Sequence, residues 1–271
     1  MTDSTSTPPP AADAPAGAAP TLDIAGAVAT LTLRRPHVAN RLEPEDLSRL
    51  RALVAEVDAR SDVRVLCLRA EGRHFCSGFN LGRVGGDDPA GADAGDRFEA
   101  LATAIEHARP VTLAVIQGGV YGGGTDLALA CDFRLGVSSS EMFVPAAKLG
   151  IHFYGGGLRR AVQRLGVGPA KRIFLTGDRL DAEAMRACGY LDDVLPDGAA
   201  LLARAEALAG QLARLAPLAV QGMKRHLDAF ARGTSDPQAL AADIARAAAS
   251  EDLREGAAAW REKRPPVFHG R

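Results

Sequence analysis

Residues 109–136, RPVTLAVIQGGVYGGGTDLALACDFRLG, contain the pattern that decides the fold class. The apolar run Val111–Ile116 predicts a strand, and five glycines interrupt the chain between 118 and 124. Residues 125–130 then predict a short helix, and residues 132–137 predict another strand. Strand, glycine turn, helix and strand in this order are typical of an α/β protein with some parallel strand pairing.

The segments on either side continue this alternation. Upstream, the patterns predict strands at 28–33 and 63–68, and helices at 44–59 and 96–108. Beyond residue 181 the strand signals stop, and alanine-rich segments predict helices at 181–187, 199–214, 217–231, 236–249 and 251–264. We therefore expect a disordered Pro/Ala-rich tail at 1–20, a core at 21–200 and a C-terminal helical region at 201–271.

Composition limits the function classes. The 271 residues include 32 Lys plus Arg and 33 Asp plus Glu, giving a net charge of -1. This balance gives no reason to expect nucleic acid or a membrane surface as partner, and no apolar run is long enough to span a bilayer. A small-molecule partner is expected. The four cysteines form no C-x-x-C pair, and the first basic residue is Arg34, so we expect a cytoplasmic protein without a secretory signal.

Common cofactor motifs are absent from the sequence. No glycine triplet has the dinucleotide-binding spacing, and neither a Gly-Lys-Ser/Thr loop nor a Gly-x-Ser-x-Gly elbow is present. Two glycine turns remain, at 74–81 (HFCSGFNL) and at 117–126 (QGGVYGGGTD), each following a predicted strand. Two converging backbone N–H groups from such turns could stabilise an oxyanion, although the triple glycine is equally compatible with a tight turn packed for its own sake.

Four ordered blocks resemble the enoyl-CoA hydratase/isomerase (crotonase) family: HFCSGFNL, the 109–136 segment, PAAKLGI with the following GGGLRRAVQRLG, and FLTGDRLDAEAMRACGYLDDVLP. The resemblance extends from about residue 22 to the C-terminus. It implies an α/β fold, a crotonase-like spiral of strand-strand-helix units with a C-terminal helical trimerisation region. It also implies a homotrimer or a dimer of trimers, an acyl-CoA thioester as substrate, and an oxyanion hole formed by the Phe79 and Gly123 N–H groups.

The sequence departs from the family at its acid/base positions. Where the family carries one catalytic glutamate, this chain has Asp126, and where it carries the second, this chain has Ala146. Paired carboxylates position and activate water, so the pair is incomplete here. Tyr154 matches a position where dienoyl-CoA isomerases and a dehalogenase carry an aspartate. His152 and Tyr154 are therefore alternative acid/base groups, or else wall residues of an acyl pocket.

These observations predict an acyl-CoA enzyme of the hydratase/isomerase type in fatty acid metabolism, with Asp126 as the favoured acid/base. The alternatives are decarboxylation or thioester hydrolysis using His152 or Tyr154, and a non-catalytic acyl-CoA-binding protein. We expect no metal and no cofactor besides the coenzyme A of the substrate. Arg159, Arg160 and Arg164 are predicted to form a solvated or interface surface. The predicted substrate contacts are Ser77, Gly78, Phe79, Asn80, Leu81, Gly122, Ala146 and Lys263, the last reaching from a neighbouring subunit.

Overall fold

The computed structural model describes residues 17–80 and 93–271. Its strands are β1 Thr21–Ala25, β2 Val28–Leu33, β3 Val65–Ala70, β4 Val111–Ile116, β5 Val120–Tyr121, β6 Phe133–Val137, β7 Glu141–Phe143, β8 Leu180–Asp181 and β9 Asp193–Leu195. Its α-helices are α1 Pro44–Ala59, α2 Ala94–Glu106, α3 Gly123–Leu129, α4 Gly155–Leu165, α5 Val167–Lys171, α6 Ala182–Ala187, α7 Gly198–Ala213, α8 Pro217–Arg232, α9 Pro237–Ala249 and α10 Glu251–Glu262. Most of the predicted 1–20 tail, and Leu81 with most of the following loop, lie outside the described residues.

The main sheet has six strands in the order β1-β2-β3-β4-β6-β9. β1 and β2 pair antiparallel, and every later neighbour pairs parallel, including β4 with β6 in the register Leu113↔Phe133. All six residues of β4 are buried, which explains the uninterrupted apolar run of the sequence, because a central parallel strand is covered on both faces. The predicted α/β fold class is confirmed.

A small second sheet, in the order β5-β7-β8, lies immediately after β4 in the chain. β5 pairs parallel with β7 in the register Val120↔Met142, and β7 pairs antiparallel with β8. This small sheet connects the second glycine turn to the residues around 146, so it brings two distant parts of the sequence to one place.

Both faces of the main sheet are covered. One face packs with α1, α2 and α3 in a cluster that includes Leu50, Phe98 and Leu127. The other face packs against α7 through Leu201 and Leu208. The division of the chain at 200/201 remains a prediction, and α7 forms one of the two layers that bury the sheet.

The structure corrects the expectation that no strand follows residue 181. β9, Asp193–Leu195, pairs parallel with β6 and forms the edge of the main sheet. Three half-buried residues are too few to show a period of two, so the sequence pattern gave no signal. α4 was also missed, because it begins with three glycines, which are poor helix formers. Among the described residues, none of the helices combines the length and apolar character needed to cross a bilayer.

Candidate active site

The two glycine turns lie against each other. Phe75 donates its backbone N–H to Gly119 (2.9 Å), and Tyr121 donates its N–H to Cys76 (2.8 Å). A Cβ atom on Gly124 would lie only 2.5 Å from the Cys76 carbonyl oxygen, so this approach requires a glycine. The turns that the sequence placed 40 residues apart therefore form one unit.

The Phe79 and Gly123 N–H groups both belong to this unit. Gly123 is the first residue of α3, where a helix offers no internal acceptor to the N–H. Within residues 17–80 and 93–271, no carbonyl or side chain accepts a hydrogen bond from the Phe79 N–H. Both residues line the same cavity. The arrangement is suited to holding a carbonyl oxygen that gains negative charge.

The cavity has a volume of about 450 Å³ and a mostly apolar wall. The aromatic residues in that wall are Phe79, Phe98, Tyr121, Phe143, Phe153 and Tyr154. Of the predicted substrate contacts, Ser77, Gly122 and Ala146 also line it. The volume and the apolar lining are typical of a site that encloses an acyl group.

The remaining predicted substrate contacts lie elsewhere. Gly78 belongs to the first glycine turn, has a φ of +83° and does not line the cavity. Asn80 donates to the Glu43 carboxylate (3.0 Å) at the start of α1. Lys263 is exposed at the C-terminal end of α10 and does not line the described cavity of its own chain. Leu81 lies outside the described residues.

Asp126 is not in the cavity wall. Its residue is only 2% exposed, and both carboxylate oxygens accept hydrogen bonds from Arg160, at 2.8 Å to Nε and 2.7 Å to Nη2. Oδ2 also accepts a hydrogen bond of 2.8 Å from the Tyr154 hydroxyl. The carboxylate that the sequence favoured as acid/base is thus reached from the cavity through Tyr154.

Tyr154 stands between the cavity and Asp126. Its ring stacks on Phe153 with 4.5 Å between centroids, and its backbone caps the start of α4. Burial, followed by the neighbouring Asp126 carboxylate, raises the pKa of Tyr154 well above its usual value. The phenol is therefore protonated at neutral pH and donates its proton toward Asp126.

His152 and Tyr121 are the other titratable groups in the described wall. His152 is exposed at the rim, and its Nδ1 lies 2.8 Å from the Phe153 carbonyl oxygen. The Tyr121 hydroxyl donates to Glu141 (2.7 Å), and burial together with that carboxylate raises the pKa of Tyr121 to about 12. Neither group is connected to Asp126 by a hydrogen bond.

Arg160 is placed differently from the prediction of a solvated surface. It is fully buried, at 0% exposure, because α4 turns Gly156, Gly157, Arg160 and Ala161 toward the interior. The spacing of these residues was a usable signal, since positions i, i+1, i+4 and i+5 lie on one helical face. The guanidinium bonds to Glu106 of α2 and to Asp126 of α3.

Comparison with known proteins finds one family over almost the whole chain. The family model for enoyl-CoA hydratase/isomerase matches residues 23–271. The Dictyostelium discoideum mitochondrial Delta(3,5)-Delta(2,4)-dienoyl-CoA isomerase is 31% identical, covering 89% of this chain and 87% of that protein. The Escherichia coli 2,3-dehydroadipyl-CoA hydratase is also 31% identical, covering 90% of this chain and 96% of that protein.

A solved structure shows the same architecture. The enoyl-CoA hydratase/carnithine racemase structure from Magnetospirillum magneticum aligns with a TM-score of 0.87 and 28% identity, covering 94% of this chain and 96% of that one. A crotonase fold with two glycine turns facing one apolar cavity thus defines the class of protein. The chain belongs to the enoyl-CoA hydratase/isomerase family.

Proposed function

We propose that this protein is an enzyme that acts on an enoyl-CoA thioester through an enolate whose oxygen is held by the Phe79 and Gly123 N–H groups. Family membership and the hydratase and isomerase activities named for its relatives support this proposal. So do the two N–H groups in the wall of an apolar cavity. Removal of one oxyanion donor typically lowers kcat about 10²–10³-fold, so this pair is expected to supply a large part of the catalysis.

Within this type, we propose double-bond isomerisation as the reaction. The observation that carries the choice is the 2.8 Å hydrogen bond to Asp126 from the hydroxyl of Tyr154, a residue of the cavity wall. In a β,γ-enoyl thioester, the C2 proton moves to the Tyr154 oxygen while the Tyr154 proton moves to Asp126 Oδ2. The C–H electron pair delocalises onto the thioester oxygen. Reversal of the relay delivers a proton to C4, so the double bond moves and no atom is added.

Water addition is disfavoured by the same geometry. Hydration needs an acceptor that holds and deprotonates a water molecule beside C3. The wall carries the methyl group of Ala146 at the position of the second family glutamate, and Asp126 is turned away behind Tyr154. One relay can move a proton between two carbons of the substrate, but it does not provide a second carboxylate for water.

The test is to incubate the protein with a medium-chain 3-enoyl-CoA and follow the product by mass spectrometry and proton NMR. We expect an unchanged mass and a double bond conjugated with the thioester. A gain of one water would overturn the isomerase assignment in favour of hydration. No conversion of 2-enoyl, 3-enoyl or dienoyl esters, with tight binding retained, would overturn the enzyme assignment and indicate an acyl-CoA-binding protein.

Tyr154→Phe removes the relay hydroxyl and keeps the ring. We expect kcat to fall about 10²–10⁴-fold, as for loss of a general acid/base group, with KM little changed. Tyr190→Phe is the matched control, because its hydroxyl donates to the Thr125 carbonyl (2.9 Å) and lies outside the described cavity wall. Equal activity of Tyr154→Phe and the wild type would exclude Tyr154 from the chemistry and direct attention to His152.

We further propose that coenzyme A enters only as part of the substrate, with no separate cofactor, and that the chain assembles as a homotrimer or a dimer of trimers. The apolar groove between α8 and α9 supports assembly, since Met223, Leu227, Phe230 and Ile244 are each more than half exposed there. Light scattering after size exclusion tests the stoichiometry.

In the proposed assembly, Lys263 of a neighbouring subunit contacts the CoA phosphates. Lys263→Ala is therefore expected to raise KM and leave kcat unchanged.

We also propose a cytoplasmic location. The four free cysteines and the Escherichia coli relative support it, because unpaired thiols are typical of reducing compartments. Fractionation of cells expressing the native chain, with detection by an antibody, tests this assignment.

A further inference from the structure

We propose that Arg160 is the positioning residue of this site: its two hydrogen bonds hold the Asp126 carboxylate as the acceptor of the Tyr154 hydroxyl and thereby allow the proton relay to operate at neutral pH. The proposal rests on the proposed function of Tyr154. Four described residues form the arrangement on which it depends: Tyr154, Asp126, Arg160 and Glu106.

Arg160 and Asp126 form a buried ion pair with two hydrogen bonds. Two guanidinium nitrogens donate to the two carboxylate oxygens, at 2.8 Å and 2.7 Å, so the carboxylate plane is fixed. Neither partner is more than 2% exposed. Oδ2 of Asp126 accepts hydrogen bonds from both Arg160 and Tyr154. The direction of the Tyr154 hydroxyl is therefore determined by where Arg160 holds that oxygen.

Arg160 is also held from its other side, by Glu106. Its third nitrogen, Nη1, donates to Glu106 Oε2 at 3.1 Å, and Glu106 accepts a second arginine, Arg159, at 2.6 Å. Glu106 is 3% exposed, and the pairs with Arg159 and Arg160 lower its pKa in spite of its burial. Arg160 thus lies between two carboxylates, Asp126 on α3 and Glu106 on α2, which compensates for the cost of burying its charge.

Titratable and charged groups from three parts of the chain surround Asp126. From α4 these are Tyr154 and Arg160, from α2 Glu99 and Glu106, and from the segment after α6 Tyr190. Arg160 is the cation bound to Asp126 in the described part of the chain. The other groups are phenols, which are neutral, and carboxylates, which oppose a second negative charge. Without Arg160, Asp126 would be a buried carboxylate with no counter-ion, and such groups bind a proton near neutral pH.

This gives the function of Arg160 in the reaction. A protonated Asp126 cannot receive the Tyr154 proton, so the first half of the relay would stop. With Arg160 present, its two N–H donors hold the Asp126 carboxylate as an acceptor, so we expect no such limit in the wild-type pH profile. Arg160 touches neither the cavity nor the reacting atoms, so its effect is transmitted entirely through Asp126.

The experiment compares pH profiles of kcat between pH 5.5 and 9 for the wild type, Arg160→Gln and Arg159→Gln. For Arg160→Gln we expect an additional acid limb, with kcat falling about tenfold per pH unit toward low pH and recovering at high pH. Arg160→Lys, which retains a charge but not the two-pronged geometry, is expected to move this limb back toward lower pH. Arg159→Gln is the matched control, because Arg159 shares Glu106 but does not contact Asp126; its profile should resemble that of the wild type.

A double variant keeps the test valid if Arg160→Gln folds poorly. Asp126→Asn/Arg160→Gln removes both buried charges, so it is expected to fold and to show a low, pH-independent rate without the added acid limb. An Arg160→Gln profile parallel to the wild-type profile, in a variant with native circular dichroism, would overturn the proposal. The proposed function fails separately, through full activity of Tyr154→Phe. Loss of activity in Tyr154→Phe combined with an unaltered Arg160→Gln profile therefore refutes the Arg160 proposal alone.

Discussion

A Cβ atom on Gly78 would lie 2.7 Å from the Gly123 backbone nitrogen and 3.1 Å from the Tyr121 carbonyl oxygen. Gly78 therefore allows the first glycine turn to reach the second, and the absence of a side chain at 78 sets the separation of the Phe79 and Gly123 N–H groups. The positive φ of +83° is the conformation that glycine adopts without strain. The proposed oxyanion hole thus depends on a residue that contributes no donor to it.

Gly78→Ala is expected to lower kcat/KM by at least about 10²-fold, because the two N–H groups can no longer converge on one oxygen. The added methyl meets backbone atoms that cannot rotate away. Gly26→Ala is the matched control: Gly26 also has a positive φ, +59°, but a Cβ there would meet nothing within 4 Å. Both variants carry the strain of a left-handed alanine, about 1–2 kcal/mol, and Gly78→Ala should lose more melting temperature than Gly26→Ala because its Cβ also meets backbone atoms. Wild-type activity in folded Gly78→Ala would refute the oxyanion assignment.

Ala146→Glu is expected to introduce water addition. The residue is 9% exposed and lines the cavity, so a longer side chain there extends into the site. A carboxylate at this position can accept a proton from water, and the gain in hydration rate is expected to be about 10²-fold or more. Ala146→Gln has the same size without a base and serves as the control. Equal water addition by the two variants, measured as the mass gain on a 2-enoyl-CoA, would show that lack of a carboxylate is not what prevents hydration.

Much of the fold could be predicted from the sequence, because strong periodic signals coincide with long elements. The strand at 111–116 and the helix at 44–59 have the predicted bounds. Short elements could not be predicted, since β9 contains three residues and its place in the sheet is determined by pairing with β6. Pairing across 58 residues is a tertiary property that no local pattern contains.

Several residues of the cavity wall could be named from the sequence, but the hydrogen bonds that connect them to buried groups could not. Phe79, Gly123 and Tyr154 were named from motifs, and the structure brings all three to one cavity. Asp126 and Tyr154 were treated as alternatives, whereas they are hydrogen bonded in series. The burial of Arg160 explains this difference: the guanidinium draws Asp126 away from the cavity, and an ion pair between α3 and α4 is not visible in either helix alone.

Glu106→Gln is expected to lower the free energy of unfolding at pH 7 by about 1–3 kcal/mol, because Arg159 loses its carboxylate partner and Arg160 keeps only Asp126. The pKa of Glu106 is lowered in the folded state, so its stabilisation is present above the unfolded value of 4.5 and is lost as the pH falls below it. The difference between variant and wild type should therefore shrink as the pH falls below 4.5 and through the lowered pKa of the folded state. Urea unfolding at a series of pH values measures it.

Glu255→Gln is the surface counterpart. Arg264 lowers the pKa of Glu255 to about 2, but both side chains are solvent-accessible. Its smaller effect on unfolding is expected to disappear in 1 M salt, where the Debye length is about 3 Å, whereas the effect of Glu106→Gln persists. Equal salt sensitivity of the two variants would contradict the buried placement of Glu106.

Thiol reactivity is expected to separate Cys188 from the other three cysteines. Burial raises the pKa of Cys76 and Cys131 to about 12 and that of Cys67 to about 11, so at pH 8 only about one thiol in 10³–10⁴ at these sites is the reactive thiolate. Cys188 is half-buried near the end of α6 and is the accessible thiol among the four. A disulfide reagent should modify one thiol per native chain and four thiols per chain in denaturant. Cys188→Ser should remove the reaction of the native chain, and Cys131→Ser should leave it unchanged. A second fast-reacting thiol in the native protein, mapped to Cys76 by peptide mass, would mean that the first glycine turn opens in solution and that the contact between the two turns is not maintained without substrate.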